Sequence, residues 1–310
     1  MKSLLLGYGS HAKKRIVPAL SAIKEIDEIV IGDKNQLSDD FLSKEIKIVN
    51  FEKALSLEKN WDLAVIATPP INHIDNLKSV FKNSKRILIE KPITNDFRFI
   101  YDELNNYTSM KPIYESLMYF HHPLWAQIKG IIKENSINEI HCEFSVPHLD
   151  LNNYRYTKKR GGGSLLDQGI YPISLAVEII NKEYKVLNYK KIVDRNYEVD
   201  LGGEIELLID NSILFIGKWG LGCDYKNYIK LTDYKESTYQ SQFIFTKPNN
   251  LFSEIEIKSK NIISKQSVGD YDQFQLMYED CLRNKLDTFN YSTLTKMQKR
   301  YKIIKEIYES

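Results

Sequence analysis

Leucine fills positions 4 to 6 between a polar start and the Gly7-Tyr8-Gly9 turn, the pattern of a short strand buried on both faces. After Gly7-x-Gly9-x-x-Ala12 the period changes, and Lys13 to Ile23 places Ile16, Val17, Leu20 and Ile23 at helical spacing. The exchange then repeats. Strands are predicted at Glu28 to Gly32, Ile46 to Val49, Trp61 to Thr68, Arg86 to Glu90 and Lys111 to Glu115. Helices are predicted at Phe51 to Lys59, at Ile71 to Asn83 and, capped by Thr94, onward to Asn106. Such alternation predicts an α/β, doubly wound parallel sheet, in which ligands lie outside the carboxyl ends of the strands. Gly7, Asp33, Thr68 to His73, Glu90-Lys91-Pro92 and Glu115 stand at those ends.

Past residue 120 the pattern turns over. Pro123 to Glu134 reads as a helix, and Ile140, Cys142, Phe144 and Val146 alternate with polar neighbours as in a half-buried strand. Further strands are predicted at Val186 to Val193, Val199 to Ile209, Ile213 to Trp219, Tyr225 to Leu231 and Thr238 to Phe245, with turn residues such as Asp210-Asn211 between them. This predicts an α+β domain with an open, mainly antiparallel sheet and one helix of its own, Leu165 to Ile180. Helices at Tyr271 to Arg283 and Ser292 to Tyr308 close the chain. The strands at 213–219 and 225–231 carry apolar side chains at both parities, more than one core face needs. The open face is therefore expected to pair with a second copy in a homodimer or higher homo-oligomer, with its outward positions among Phe215, Trp219 and Tyr228.

A length of 310 residues makes two domains the default, here 1–120 and 121–290, with 291–310 a terminal helix expected to pack back on the first. Lys and Arg number 43 against 41 Asp and Glu, a formal charge of +2, so no global field draws nucleic acid or an anionic membrane. Cys142, Cys223 and Cys281 have no paired spacing, which speaks against a disulfide framework or zinc cluster and for a reducing compartment. The six histidines, His121-His122 included, have no metal-site spacing, and no metal is expected. With no leader-like segment and no apolar run of membrane length, a cytoplasmic protein is expected.

The candidate chemistry starts at the first turn. In a dinucleotide fold the first glycine permits the tight turn, the second lets backbone approach a pyrophosphate, and a small third residue lets helix and strand pack closely. Gly7, Gly9, Ser10, His11 and Ala12 are thus candidate cofactor contacts. Asp33 follows Gly9 by 24 positions, near the offset of an acid that binds a ribose 2′-hydroxyl, which favours NAD; Lys34 beside it leaves NADP open. Glu90-Lys91-Pro92 puts an ammonium at a strand end, within reach of a bound substrate. Arg160-Gly161-Gly162-Gly163-Ser164 then enters a helix on which Asp167 and Tyr171, four apart, share a face.

Gly7-x-Gly9-x-x-Ala12, Ala67-Thr68-Pro69-Pro70 with His73, Glu90-Lys91-Pro92, Asn153-Tyr154-Arg155-Tyr156 and Gly161 to Tyr171 occur in an order and spacing that resembles the glucose-fructose oxidoreductase/inositol dehydrogenase (Gfo/Idh/MocA) family. The resemblance spans most of the chain. It implies a two-domain NAD(P)-dependent oxidoreductase, with Thr68, Pro69, His73, Glu90 and Lys91 added to the cofactor site. It also implies Lys91 beside the reacting hydroxyl or carbonyl, Asp167 as acidic helper and Tyr171 as acid/base, and tyrosine at 171 looks like one branch of the family. Glu115, His122 and Arg155 join Lys91, Asp167 and Tyr171 as candidate substrate contacts. Where that branch usually shows Arg-Phe-His-Pro, this chain has Phe120-His121-His122-Pro123, which opens the identity of the substrate.

The residue types suit the reaction. Hydride reaches or leaves carbon only as the attached oxygen gains or loses a proton, and a phenol of ordinary pKa about 10 needs a nearby ammonium to act as base. A sugar or sugar derivative is the expected substrate, a sugar nucleotide included. The alternatives are a dinucleotide-binding regulator that catalyses nothing, and a dehydrogenase or reductase of a non-sugar diol or tetrapyrrole.

Overall fold

The three leucines lie in β1 (Lys2–Leu6), where each is 1% exposed or less, in a computed structural model that describes residues 1–36, 40–43, 45–57, 60–248, 251–283 and 291–310. β1 is central in a seven-stranded sheet with β2 (Glu28–Asp33), β3 (Asp40–Phe41), β4 (Ile46–Asn50), β5 (Leu63–Ile66), β6 (Ile87–Glu90) and β7 (Ile113–Ser116), ordered β3-β4-β2-β1-β5-β6-β7. All neighbours run parallel except β3 against β4. β3 is two residues long and has no alternation to announce it. The strand order reverses between β2 and β5, on either side of β1, which is where a doubly wound sheet opens a crevice for ligands.

Two element boundaries differ from expectation for local reasons. The helix from Phe51 ends at Ser56, and Glu58 and Lys59 lie outside the described residues. The helix after β6 is capped by Asp96, whose Oδ1 accepts the Arg98 N–H at 3.0 Å, while Thr94 Oγ1 accepts the Asp96 N–H at 2.9 Å. Thr94 therefore shapes the turn leading to the cap and is not itself the cap.

The second sheet contains β8 (Ile137–Val146), β9 (Tyr184–Val193), β10 (Asp200–Ile209), β11 (Ile213–Leu221), β12 (Lys226–Asp233), β13 (Thr238–Gln242), β14 (Ser253–Ser259) and β15 (Ile262–Gly269). Their order is β15-β14-β13-β12-β8-β11-β10-β9, antiparallel but for β8 beside β11. Asp210, Asn211 and Ser212 link β10 to β11, and Asp210 and Asn211 take left-handed φ of 49° and 56° in a turn closed by the Ser212 N–H on the Ile209 carbonyl. The β14–β15 hairpin escapes prediction because its apolar Ile262 and Ile263 are both exposed, so no clean alternation marks it. The helix Leu165–Gly169, continued as Ile170–Ile179, lies against this sheet and is buried over nearly its whole length.

Phe215 and Trp219 are 0% and 3% exposed and turn toward that helix, which leaves Tyr228 as the outward position among the three. The indole decides it: a Cβ on Gly203 would stand 2.3 Å from Trp219, and one on Gly169 would stand 3.0 Å away, so the glycines leave the space the ring fills. The opposite parity carries Glu139, Glu143, Glu204, Lys218, Tyr228 and Lys230. Lys218 pairs with Glu204 at 2.5 Å and His141 contacts Glu139 at 2.7 Å. The open face is thus charged and cross-paired, where an apolar one was expected.

The chain divides into two compact units, 1–117 with 274–295, and 118–273 with 296–310. The terminal helix Tyr291–Glu309, expected to pack on the first unit, is divided at residue 295, with its first residues in that unit and the rest in the second. Lys191 Nζ donates to the carbonyls of Ile307 and Tyr308 at 3.2 Å each, and Lys296 pairs with Glu178 at 2.6 Å, tying residues 296–310 to the second sheet's unit. The chain returns to the first unit at Phe274, on the helix Gln273–Arg283, where Met277 Sδ receives the Ser116 hydroxyl at 3.8 Å.

His122, expected as a substrate contact, is 2% exposed and caps the helix Pro123–Glu134: its Nδ1 accepts the Leu124 N–H at 3.0 Å. Burial first, and the Lys247 ammonium second, lower its pKa to about 4 against the pull of Asp270. A histidine held neutral in the fold gives full stability above its unfolded pKa of about 6.5. That stability is lost as pH falls from 6.5 toward 4, at about 1.4 kcal/mol per unit. Urea unfolding across this range should show the loss, and His122→Asn, which keeps a capping oxygen, should flatten it. Identical slopes in the two proteins would mean that His122 protonates in the fold as it does in water.

Candidate active site

Gly7 turns the chain out of β1 with φ of +100°, and a Cβ there would stand 2.7 Å from the Ala67 carbonyl oxygen. Only glycine meets both demands. A Cβ on Gly9 would meet nothing within 4 Å, so the backbone there is open to an approaching group, and Ser10 and His11 beside it are exposed. Ala12 is 1% exposed, the small residue on which the following helical turn packs. This cradle fits a dinucleotide pyrophosphate. Asp33 ends β2, half-buried, with Oδ1 accepting the Asn35 N–H at 3.0 Å. The Lys34 ammonium lies over the Phe51 ring, 5.4 Å from its centre.

The loop after β6 presents Lys91, half-buried, and the Lys91-Pro92 peptide is cis. Its neighbours hold it from several sides. Glu90 receives the Ser116 hydroxyl at 2.8 Å and lies 3.6 Å from His11 Nε2. Burial alone would raise the Glu90 carboxyl, but His11, Ser116 and the Lys91 charge outweigh it and hold the group below its usual range. Glu115 Oε1 accepts the Ile93 N–H at 3.1 Å. His73 is 1% exposed, with Nε2 2.7 Å from the Thr68 carbonyl and Nδ1 3.0 Å from that of Pro92. Burial lowers its basicity against those carbonyls and Glu90. His73 and Glu115, read from the sequence as cofactor and substrate contacts, are ties between loops. Thr68, half-buried, receives the Asn76 amide on its hydroxyl at 2.7 Å, and Pro69 starts the turn beside it.

In the second unit the glycine run brings an arginine to the helix. A Cβ on Gly162 would stand 2.5 Å from the Arg155 carbonyl oxygen, and Gly163 donates its N–H to that oxygen at 2.9 Å. Gly163 has φ of +114°, and a Cβ on it would press on Asp200. Arg155, whose own N–H is received by Asn153 Oδ1 at 3.1 Å, donates Nε–H to Asp167 Oδ2. The Gln168 amide reaches the same oxygen at 2.6 Å. Beside Asp167 the guanidinium is held protonated even more firmly than usual. Arg155, expected as a substrate contact, has its guanidinium paired with Asp167.

Tyr171, 4% exposed, sits one turn on, its hydroxyl 3.9 Å from Met118 Sδ and its ring against Phe144 at 4.9 Å and Phe245 at 5.6 Å. Asp200 secures the helix start, receiving the Ser164 hydroxyl at 2.5 Å and the Leu165 N–H at 2.7 Å, with its carboxyl pushed up by burial. Asp200, Gln168 and Met118 escaped sequence reasoning, because an acid at the head of an alternating strand carries no motif. The structure thus gathers Gly7, Gly9, Ser10, His11, Glu90 and Lys91 in one unit, and Arg155, Asp167 and Tyr171 in the other. No group of three metal-ligating side chains occurs among the described residues.

A sequence model of the oxidoreductase family with NAD-binding Rossmann fold (Gfo/Idh/MocA) matches residues 1–105. The chain is 22% identical over 277 residues to dTDP-3,4-didehydro-2,6-dideoxy-α-D-glucose 3-reductase of Saccharopolyspora spinosa, covering 87% of this chain and 82% of that protein. Its fold superposes with a TM-score of 0.86 on KijD10, a 3-ketoreductase from Actinomadura kijaniata crystallised with NADP and TDP-benzene, at 18% identity over 98% of this chain and 96% of that one. It superposes at 0.83 on the aldose-aldose oxidoreductase of Caulobacter crescentus, at 15% identity over 100% and 96% of the two chains. Residues 1–105, with their glycine cradle and strand order, thus carry the NAD-binding Rossmann fold of the Gfo/Idh/MocA oxidoreductase family, and the chain as a whole is similar to NAD(P)-dependent sugar reductases.

Proposed function

We propose that this protein reduces a keto group on a sugar nucleotide, or oxidises the corresponding alcohol, through Lys91 and Tyr171. The carrying observation is the Arg155–Asp167 pair, which fixes the helix face bearing Tyr171 in a chain whose other unit sets Lys91 beside the dinucleotide cradle. The curated relatives named as dTDP-sugar 3-reductases support the substrate class. The tyrosine at 171 fits the tyrosine-containing branch of the family.

The nicotinamide, when bound, carries the hydride. Tyr171 supplies the proton to the carbonyl oxygen in reduction and removes it in oxidation. The Lys91 ammonium stabilises charge developing on that oxygen, the kind of contribution an oxyanion hole makes. Asp167, with a guanidinium and an amide on one oxygen, orients the helix face and is not the group that exchanges the proton. A regulator that catalyses nothing is disfavoured, because Lys91, Asp167 and Tyr171 are all present.

Turnover should be sought with NADH and NADPH against dTDP-linked keto sugars, other nucleotide sugars, free aldoses and cyclic polyols. Tyr171→Phe should lower kcat by roughly 10²–10⁴-fold with little change in NADH binding, and Lys91→Ala should cost more. Unchanged turnover in Tyr171→Phe removes the tyrosine from the mechanism. Cofactor binding without turnover on any member of the panel would favour the regulator.

The Asp33 carboxylate accepts a ribose 2′-hydroxyl and repels a 2′-phosphate, so NADH should be preferred. Asp33→Ser should then raise the NADPH-to-NADH ratio of kcat/KM by about tenfold or more. A wild-type preference for NADPH that this substitution leaves untouched sinks the assignment.

The open face of the second sheet, around Tyr228, is proposed as a two-fold interface with a second copy of the chain. Light scattering after gel filtration should give twice the 36.2 kDa of one chain, and Tyr228→Glu should break the assembly. A single-chain mass for the wild type at micromolar concentration overturns it.

A further inference from the structure

Two loops of the first unit meet at one imidazole that the hydride-transfer chemistry does not use. His73 Nε2 faces the Thr68 carbonyl at 2.7 Å, while Nδ1 faces the carbonyls of Pro92 at 3.0 Å and Ile93 at 3.2 Å. All three neighbours are acceptors. A neutral imidazole has one N–H to give, so it ties firmly to one loop and sets a lone pair against oxygen at the other; an imidazolium ties both. The ring is 1% exposed, so no solvent relieves the mismatch. It bears on whichever loop is displaced.

Both ends of this strut are anchored. Asn76, on the same helix, donates to Thr68 Oγ1 at 2.7 Å, and Glu115 accepts the Ile93 N–H at 3.1 Å. The Thr68 end lies against the dinucleotide turn: a Cβ on Gly7 would stand 3.0 Å from the Thr68 nitrogen. The other end is the Pro92–Ile93 peptide, one residue beyond Lys91. The distance spanned by one rigid five-membered ring therefore fixes the lysine loop against the strand end that borders the cofactor cradle.

We propose that His73 is a positioning residue for Lys91, holding the lysine loop at a set distance from the cofactor turn by bridging Thr68 to the Pro92–Ile93 peptide. This rests on Lys91 being the lysine that acts on the reacting oxygen. His73 touches neither substrate nor cofactor and works only through the loop it holds.

A double-mutant cycle separates this from a general structural role. Hydride transfer is measured in a single turnover with NADH prebound and the best substrate of the panel, beside the NADH Kd and the Tm. His73→Leu removes both ties and should slow transfer roughly 10- to 100-fold, and His73→Gln, which keeps a donor, about 3- to 10-fold. The NADH Kd should stay within about threefold in both. In a Lys91→Ala background each substitution should cost less than about twofold, because the residue through which it acts is gone. Equal fold losses in the two backgrounds overturn the proposal. Either variant decides, so a His73→Leu protein that does not fold leaves the cycle intact with His73→Gln. An absence of turnover on every substrate is a failure of the hydride-transfer reading alone. The acetylation rate of Lys91 by acetic anhydride, followed by peptide mass spectrometry, then replaces turnover. A rate in the His73 variants about threefold or more above wild type supports the strut, and identical rates overturn it.

Discussion

A carboxylate inside a buried helix cannot stand alone, and much of the second unit is arranged around meeting that demand for Asp167. The helix Leu165–Ile179 is covered along nearly its whole length, and Asp167 is 7% exposed. Leaving such a charge unpaired costs on the order of 3–5 kcal/mol. The Arg155 guanidinium supplies the pairing, but it comes from a loop twelve residues earlier, so the loop has to be brought in and held. Asn153 receives the Arg155 N–H, Gly162 lets the two backbones touch, and Gly163 turns the chain beside Asp200. Asp200 in turn receives the donors of Ser164 and Leu165. What reads in sequence as a flexible glycine run is a place where side chains would collide with backbone.

The first unit meets a different demand with similar means. In a parallel sheet the chain leaves each strand at the same edge, and the exposed turns there carry peptide groups that no strand partner satisfies. His73 and Glu115 serve those groups after β5 and β6, and Glu90 receives the Ser116 hydroxyl between β6 and β7. Lys111 does the same at another loop, its ammonium on the carbonyls of Phe81 and Ser84 and over the Phe81 ring. A reactive lysine in such a loop is only as well placed as the ties around it.

The frame of the protein was legible because its signals are local. Leu4 to Leu6 are a buried strand by composition, Gly7 by the turn it must make, and Asp210-Asn211 by the left-handed conformation both residues tolerate. What was misread or left open depends on partners distant in sequence. For Phe215 and Trp219 the sequence left the face open, because it is set by where the helix bearing Gly169 comes down, and no pattern within the strand says so. The terminal helix has an apolar stripe that would suit either unit, and Lys191 on β9 ties its last turn to the second. Thr94 and Asp96 are both cap-forming residues two apart, and the cap goes to the one whose oxygen reaches the Arg98 N–H.

The candidate site was legible as a set of residues and illegible as a set of roles. Arg155, His122, His73 and Glu115 stand in or beside motifs, and each has a polar atom already engaged by backbone or by another motif residue. A side chain that fills a buried hydrogen bond is constrained as tightly as one that touches substrate, because losing either partner leaves a desolvated polar group behind. Spacing alone therefore cannot separate the two kinds. Arg155 and His73 have polar atoms engaged by other loops and act as holders of the frame. Since holders of this kind secure the frame for any substrate, discrimination between one sugar derivative and another must rest on side chains that no shared motif contains.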